Sequence, residues 1–407
     1  MQPKSYRWVI VAAGGLLGCI AIGAMFSLPV LLVPIEQDTG WSRTGISSAM
    51  TFGFLAMAFG SMAWGATVDR LGPRLVVLTG SILIALTLAW ASRASSLAEF
   101  QIIFGVVLGA VTASILAPMM ATVMGWFDDH RSLAVSLVSA GMGMAPMTMS
   151  PLVAWLITHY DWRTTLLIIA AIVAVTMIPA SLLVRRPPAA TPAHPAAMPD
   201  TDAVPDMSVS AALRSPQFLV LLLTNFFCCA THSGPIFHTV SYAIACGIPA
   251  MAAVSIYSLE GLAGMGGRIG FGLLGDRFGA KTILVIGLLI QAFGAFGYFF
   301  ADSLSEFYAV AVVFGFTYAG VMPLYSVLAR ENFPMRMMGT IIGGFSMAGG
   351  LGMATGPVLG GWIFDTTGDY GWLFISCFGM GIGAVLIAAM FRPFPNGAAI
   401  KVQGVAA

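Results

Sequence analysis

Residues 65–74 read GATVDRLGPR, and residues 272–281 read GLLGDRFGAK. The second copy begins 207 positions after the first (272 less 65) in a chain of 407 residues, so the chain is built from two like halves. Each copy sits between two long apolar runs. The repeated unit is therefore a bundle of membrane-spanning helices carrying one charged hairpin. The fold expected is an all-α membrane protein of twelve transmembrane helices in two six-helix repeats.

Composition agrees with that reading independently of the repeat. Hydrophobic residues make up 58% of the chain and charged residues 9%, against about 25% charged in a typical soluble domain. A mean hydropathy of +0.91 requires apolar runs of bilayer-crossing length throughout. The expected spans are about 7–34, 44–68, 75–93, 99–126, 133–158 and 164–184, then 217–243, 250–275, 282–301, 304–329, 338–364 and 370–391. The first is too long for a signal h-region and belongs to the repeat. Continuous apolar runs, rather than short alternating segments, exclude a transmembrane β-barrel.

The basic residues orient the bundle. With both termini in the cytoplasm, Lys4, Arg7, Arg70, Arg74, Arg131, Arg185, Arg186, Arg214, Arg277, Lys281, Arg330, Arg336, Arg392 and Lys401 lie on that side, and only Arg43, Arg93 and Arg163 face outward. That asymmetry is the positive-inside pattern, and it places the chain in a plasma membrane, expected to be a bacterial inner membrane. The formal charge of +1 is scattered, so no nucleic-acid partner is implied; the bilayer is the partner, and a monomer is expected. Residues 1–184 form the first bundle, 185–216 a flexible cytoplasmic linker rich in Pro, Ala, Asp and Ser, 217–392 the second bundle and 393–407 a tail. Cys19, Cys228, Cys229, Cys246 and Cys377 fall in or at the ends of spans without CxxC or Cys/His spacing. They read as small apolar filler, and no metal or cofactor is expected. Nor is there a nucleophile–base set or nucleotide loop, so the chain is not expected to be an enzyme.

Two like bundles buried in lipid are how many secondary transporters are built. In the hairpins the glycines permit sharp turns and close helix approach, while Asp69 and Asp276 stand where a helix ends. A plain basic loop that cannot cross the membrane is the simpler reading of one copy; two copies at equivalent positions argue for more. The pattern resembles the intracellular loop signature of the major facilitator superfamily, and the resemblance covers the whole chain. It implies that Asp69 and Arg70, with Asp276 and Arg277 in the second half, latch the cytoplasmic side while the outside is open. Arg131 and Arg336 open the fifth and eleventh spans at corresponding places, and Trp155 and Trp362 lie near their ends. We therefore count Arg131 with the latch.

FSLPVLLVPIEQDTGWSR (26–43), WFDDHRSLAVSLVSA (126–140) and DWR (161–163) resemble the monocarboxylate porters and their bacterial oxalate/formate relatives. Two positions depart from the animal members. Pro29 is followed by Val30 where they carry a lysine, and Gly264 stands where they carry an aspartate. A run resembling the fifth-span motif of drug/proton antiporters lies here in the eleventh span, from Gly352 to Gly361, where it serves close packing and bending.

Only Glu260 and Arg268, both on the eighth span, place charge well inside the bilayer. An arginine at a helix centre costs about 2.5–3.5 kcal/mol on insertion scales, so such residues mark a pathway or site. At about 1.5 Å and 100° per residue the two sit about 12 Å apart and roughly 80° around the helix, too far to pair within it. Arg268 shares a face of little bulk with Tyr257, Gly261, Gly264 and Met265. Its guanidinium fork fits a carboxylate, and in the resembled family an arginine in this span anchors the substrate; an ion pair with another helix is the alternative. Glu260 is a candidate proton carrier, since burial disfavours a charged carboxylate; facing an aqueous vestibule is its alternative. Asn225, Cys228, Cys229 and His232 form one stripe on the seventh span, with His238 further outward. Imidazole titrates where a proton-coupled carrier works, so His232 and His238 join Glu260 as proton-coupling candidates, against a plain packing role, and His232, Asn225 and Tyr257 are also expected to bind the substrate beside Arg268. Tyr318 and Tyr325, seven residues apart on the tenth span, are candidate donors to an organic anion or simply packed between helices.

The first six spans hold no ionised residue in their middles. The first half thus forms an apolar wall and the second supplies charge. Gln101 and Asn225 stand nearly alone as amides, which suits a small amphipathic anion better than a sugar, and a cationic drug would want an acidic cavity. The expected function is a secondary active transporter of small monocarboxylates (lactate- or pyruvate-like), coupled to a proton and working by alternating access. An organic-anion exchanger of the oxalate/formate type is the alternative, although only one buried cation is present. A non-transporting membrane sensor is the third, against which stands the short stretch after Arg392.

Overall fold

The computed structural model describes residues 5–127, 131–187, 208–334 and 337–394, apart from a few side chains that include those of Asp69 and Arg131. The described residues are helical, without a strand. The first half runs α1 (Tyr6–Met25), α2 (Leu28–Thr39), α3 (Arg43–Leu71), α4 (Pro73–Ala91), α5 (Leu97–Phe100), a π-helical segment (Gln101–Val107), α6 (Leu108–Trp126), α7 (Arg131–Gly143), α8 (Ala145–Ile157) and α9 (Trp162–Leu182). After the short α10 (Val209–Arg214) come α11 (Pro216–Ala245), α12 (Ala250–Phe278), α13 (Ala280–Gly297), a 3-10 turn (Tyr298–Phe300), α14 (Leu304–Asn332), α15 (Met338–Thr367) and α16 (Gly371–Ala389).

These elements make the twelve expected spans, three of the first six being broken. Pro29 has no N–H for the Met25 carbonyl, and the first span breaks into α1 and α2 there. Pro146 likewise separates α8 from α7 across Met144. Among the described residues, eleven of the spans are long and apolar enough to cross a membrane. The twelfth is α12, whose 29 residues include Glu260, Arg268, Asp276 and Arg277 and so fall short in hydropathy rather than length. The first span runs on to Thr39, five residues beyond its expected end at 34, because nothing stops the helix before Gly40 at φ +69°. Residues 188–207 of the expected linker and 395–407 of the tail lie outside the described residues. Residues 209–214, expected to be flexible, form a helix instead, capped by Ser208 and seated by the buried Ala212.

The repeat explains its own turn. Gly72 (φ +84°) and Gly279 (φ +89°) hold the same place in the two hairpins, in backbone that a Cβ would strain. Gly65 and Gly272, by contrast, face open space and bring no helices together.

The halves meet mainly where α3 packs on α15 and α8 on α12, with lighter packing of α2 on α11 and of α7 on α12. The apolar core shows where they meet. One continuous cluster runs through the whole first half and into the second around Phe237, Tyr242, Tyr298, Phe307 and Tyr370. A separate cluster, built around Phe218, Leu284, Leu328 and Phe333, fills the second half near its hairpin. The halves thus share a core at the end bearing Arg43 and have separate cores at the end bearing the hairpins.

Candidate functional site

The Arg43 end is closed by polar groups from both halves. Asp365, near the end of α15, accepts from the backbone N–H of Arg43 (3.1 Å) and of Thr44 (2.8 Å), and from the Thr44 hydroxyl. The first turn of α3 is thereby capped from the opposite half. Arg43 is itself buried: its Nε donates to Glu36 (2.8 Å), its Nη1 donates to the Tyr370 hydroxyl (2.9 Å), and its guanidinium lies 3.6 Å from the centre of the Phe364 ring. Gly361 lets α15 approach α3; a Cβ there would come within 2.7 Å of the Thr44 Cα and 2.8 Å of the Arg43 carbonyl oxygen. Deeper in, Thr51 donates to the Ala354 carbonyl at 2.6 Å. His238 belongs to this closure: its Nε2 is 2.9 Å from the Pro357 carbonyl and its ring packs on Tyr370.

The hairpin end differs. Arg70, Asp276 and Arg277 are exposed, while the side chains of Asp69 and Arg131 lie outside the described residues.

Arg268 lies between these ends, where α12 faces the first half. Its Nη1 donates to the Ser139 carbonyl of α7 at 3.3 Å, and Gly143, at the break between α7 and α8, leaves room beside the guanidinium. Among the described residues the only ion pair is Arg43–Glu36. Arg268 therefore has no carboxylate within reach, and it does not pair with Glu260. The low-bulk face of α12 is used for packing: Gly261 lies against Pro146 and Met147 of α8, and Gly264 against Ala319 of α14.

Glu260 points into the second half. Its Oε2 accepts from the Tyr298 hydroxyl (3.1 Å), its Oε1 is enclosed without a partner, and Gly315 of α14 lies against it. Tyr318 feels the charges of both Glu260 and Arg268, and its ring lies 5.0 Å from that of His232. The Tyr257 hydroxyl is enclosed in the same region without a partner. The structure thus gathers Arg268, Tyr318, His232, Tyr257 and Glu260 into one neighbourhood. Asn225 and Tyr325 instead line a separate cavity of about 210 Å³, with Cys229, Ser326, Ser346 and Gly349, between α11, α14 and α15.

Sequence reading missed Asp365, which looks like an ordinary loop acid; its partners lie 321 and 322 residues away. It also missed Gln291, a lone amide in the otherwise apolar α13 that is wholly buried against Cys228 and His232. A single amide within an apolar run was the available signal. The five cysteines are free, and among the described residues no group of three or more metal-binding side chains assembles.

Comparison with known proteins gives this geometry a family. The Major Facilitator Superfamily pattern matches residues 14–348 and 269–405. Monocarboxylate transporter 13 of Rattus norvegicus is 27% identical over 367 residues, covering 90% of this chain and 84% of that protein. Multidrug resistance protein MdtG of Salmonella typhi is 24% identical over 388 residues, covering 92% of each. Among solved structures, a bacterial homologue of the human lysosomal transporter Spinster, inward-facing and occupied, superposes with a TM-score of 0.76 at 16% identity, over 97% of this chain and 99% of that one. A point mutant of the nucleoside transporter NupG gives 0.73 at 14% identity, over 94% and 100%. At such identities these two likenesses speak for the fold alone. The family and the sequence relatives are membrane transporters, not enzymes. A match reaching through both halves settles the family: the chain belongs to the Major Facilitator Superfamily, as a multi-pass membrane transporter similar to its monocarboxylate transporter group.

Proposed function

We propose that this transporter carries small monocarboxylates of the lactate or pyruvate kind, together with a proton, by alternating access. One observation carries the reading. Arg268 stands between the halves, deep in a membrane span, with a backbone carbonyl as its only hydrogen-bond partner and no carboxylate among the described residues. A half-buried guanidinium fork without a counter-charge suits a carboxylate that arrives from outside the protein. Tyr318 and Tyr257 are proposed as hydroxyl donors to such an anion. The relatives named monocarboxylate transporters support the same chemistry.

Glu260 is proposed to carry the proton, so that anion and proton cross as a neutral load. Its support is a buried carboxyl with one oxygen unpartnered, an arrangement suited to a group that gains and loses a proton. The closed Arg43 end and the separate cores at the hairpin end support alternating access with the hairpin side open. Asp69, Arg70, Arg131, Asp276 and Arg277 are proposed to form the opposite closure when the Arg43 end opens. The hairpin end is proposed to face the cytoplasm of a bacterial inner membrane, a reading supported by the bias of the basic residues, and the chain is proposed to act as a monomer.

Uptake of labelled lactate into liposomes holding the purified protein tests this reading. Accumulation driven by an inward proton gradient, abolished by Arg268→Gln and weakened at least tenfold by Arg268→Lys, is expected, since a lysine keeps the charge and loses the fork. Normal transport by Arg268→Gln overturns the anchor. Uptake that requires an internal anion replaces symport by exchange.

A further inference from the structure

The Gln291 side chain is held in one orientation by atoms that leave it no choice. Its amide nitrogen lies 3.0 Å from the Cys228 carbonyl oxygen, which can only accept, so the NH₂ group must face that way. Its amide oxygen then faces the Cys228 thiol, which donates at 3.4 Å. The same NH₂ group lies 3.2 Å from Nδ1 of His232. The Cys228 carbonyl also faces the His232 ring, but it already takes the Gln291 NH₂ at 3.0 Å, and the same NH₂ is satisfied at Nδ1 only by a lone pair; a neutral imidazole so engaged carries its proton on Nε2. No described residue hydrogen-bonds that Nε2, and it is not walled in as Nδ1 of His238 is. The His232 ring rests on Tyr318, which also lies in the field of Arg268.

We propose that Gln291 is a positioning residue that locks His232 in its Nε2–H tautomer, making the histidine a neutral hydrogen-bond donor to the anion held by Arg268. The donor role rests on the reading of Arg268 as the anion's anchor; the tautomer itself does not. In this arrangement His232 donates to the load and is no proton carrier, which leaves Glu260 with that task. Gln291 acts through His232 and touches no substrate.

The test is nitrogen-15 magnetic resonance of the full chain, labelled at its histidine rings and held in lipid nanodiscs without substrate. The His232 signals are assigned by their loss in His232→Asn. A single neutral tautomer protonated at Nε2 is expected in the unaltered protein. Gln291→Leu should give a mixture of tautomers, and Gln291→Glu should move a proton onto Nδ1, because a carboxylate accepts where the amide donated. A ring protonated at Nδ1, a charged ring, or a mixture in the unaltered protein overturns the proposal, and that spectrum decides without any variant having to fold. A lactate-uptake arm then reads the consequence: KM should rise only a few-fold for Gln291→Leu, where part of the ring keeps the Nε2–H form, and roughly 10–100-fold for Gln291→Glu, where the donor to a charged group is lost. If the unaltered protein carries no lactate, the substrate reading falls while the spectrum still decides the tautomer.

Discussion

Asp365 bonds the first turn of α3 at Thr44, although the two residues stand in opposite halves: the carboxylate accepts from the Thr44 N–H at 2.8 Å and from its hydroxyl. A helix start has N–H groups with no partner in their own helix, and here the cap exists only while the Arg43 end is shut. Opening that end removes this second cap and leaves α3 with the Ser42 hydroxyl alone, which accepts from the Gly45 N–H at 3.1 Å. Asp365→Asn keeps one acceptor oxygen but loses the charge and the second acceptor. Because Asp365 is exposed, the bonds are worth about 1 kcal/mol, a shift of roughly fivefold toward the open form. Spin labels at Arg93 and Asp302, exposed positions in opposite halves, should report a longer distance in this variant; an unchanged distribution would leave the cap without a role in closure.

Gly361 makes the closure a matter of space as well as charge. Gly361→Ala would push a methyl group into the Thr44 backbone, at a position where alanine would otherwise favour the helix by up to about 1 kcal/mol. The expected result is the same outward shift between the labels and slower uptake of lactate. Gly379→Ala, where nothing lies within 4 Å, serves as the control and should leave both unchanged.

Much of this was legible in the sequence because it depends on local pattern. The spans follow from apolar runs, and the turn glycines at 72 and 279 follow from the repeat. The charge of Arg268 stands out wherever the helices pack. What stayed hidden depends on contacts between distant residues. Arg43 looked like an outward-facing topological charge, yet it is buried among Glu36, Phe364 and Tyr370, the last two more than 320 residues away. Asn225 and Tyr325 had the right chemistry for the Arg268 site, but they line a cavity between α11, α14 and α15. Helical spacing gives the face a residue occupies, not which neighbour covers that face.

Asp161 offers a test of stability against pH outside the membrane. It caps α9 by accepting from the Thr164 N–H at 3.2 Å, and the hydrogen bonds from Thr164 hold its carboxyl below the usual range, against a smaller opposing effect of burial. A depressed carboxyl stabilises the fold above its unfolded value, about 3.9, and the benefit fades as pH falls through the lower folded value. Asp161→Ala should therefore lower stability at pH 7 by about 0.5–1 kcal/mol, the low end for a cap on so exposed a side chain. The two proteins should converge below about pH 3. Thermal unfolding in detergent at both pH values measures this, and an equal gap at pH 3 would show that the lost charge is not the cause.

The buried carboxyl on α12 separates proton-driven transport from exchange. Glu260→Gln keeps a side chain of the same shape that can still accept from the Tyr298 hydroxyl, but it can no longer gain or lose a proton at neutral pH. If Glu260 carries the proton, the variant should lose accumulation of lactate against its gradient while exchanging internal for external lactate at a rate within a few-fold of the unaltered protein. Anion binding at Arg268 is untouched by the change, so the return of the loaded carrier still proceeds. Accumulation that survives in Glu260→Gln assigns the proton to another group, and loss of exchange as well would make Glu260 part of the packing that holds α12 against α14.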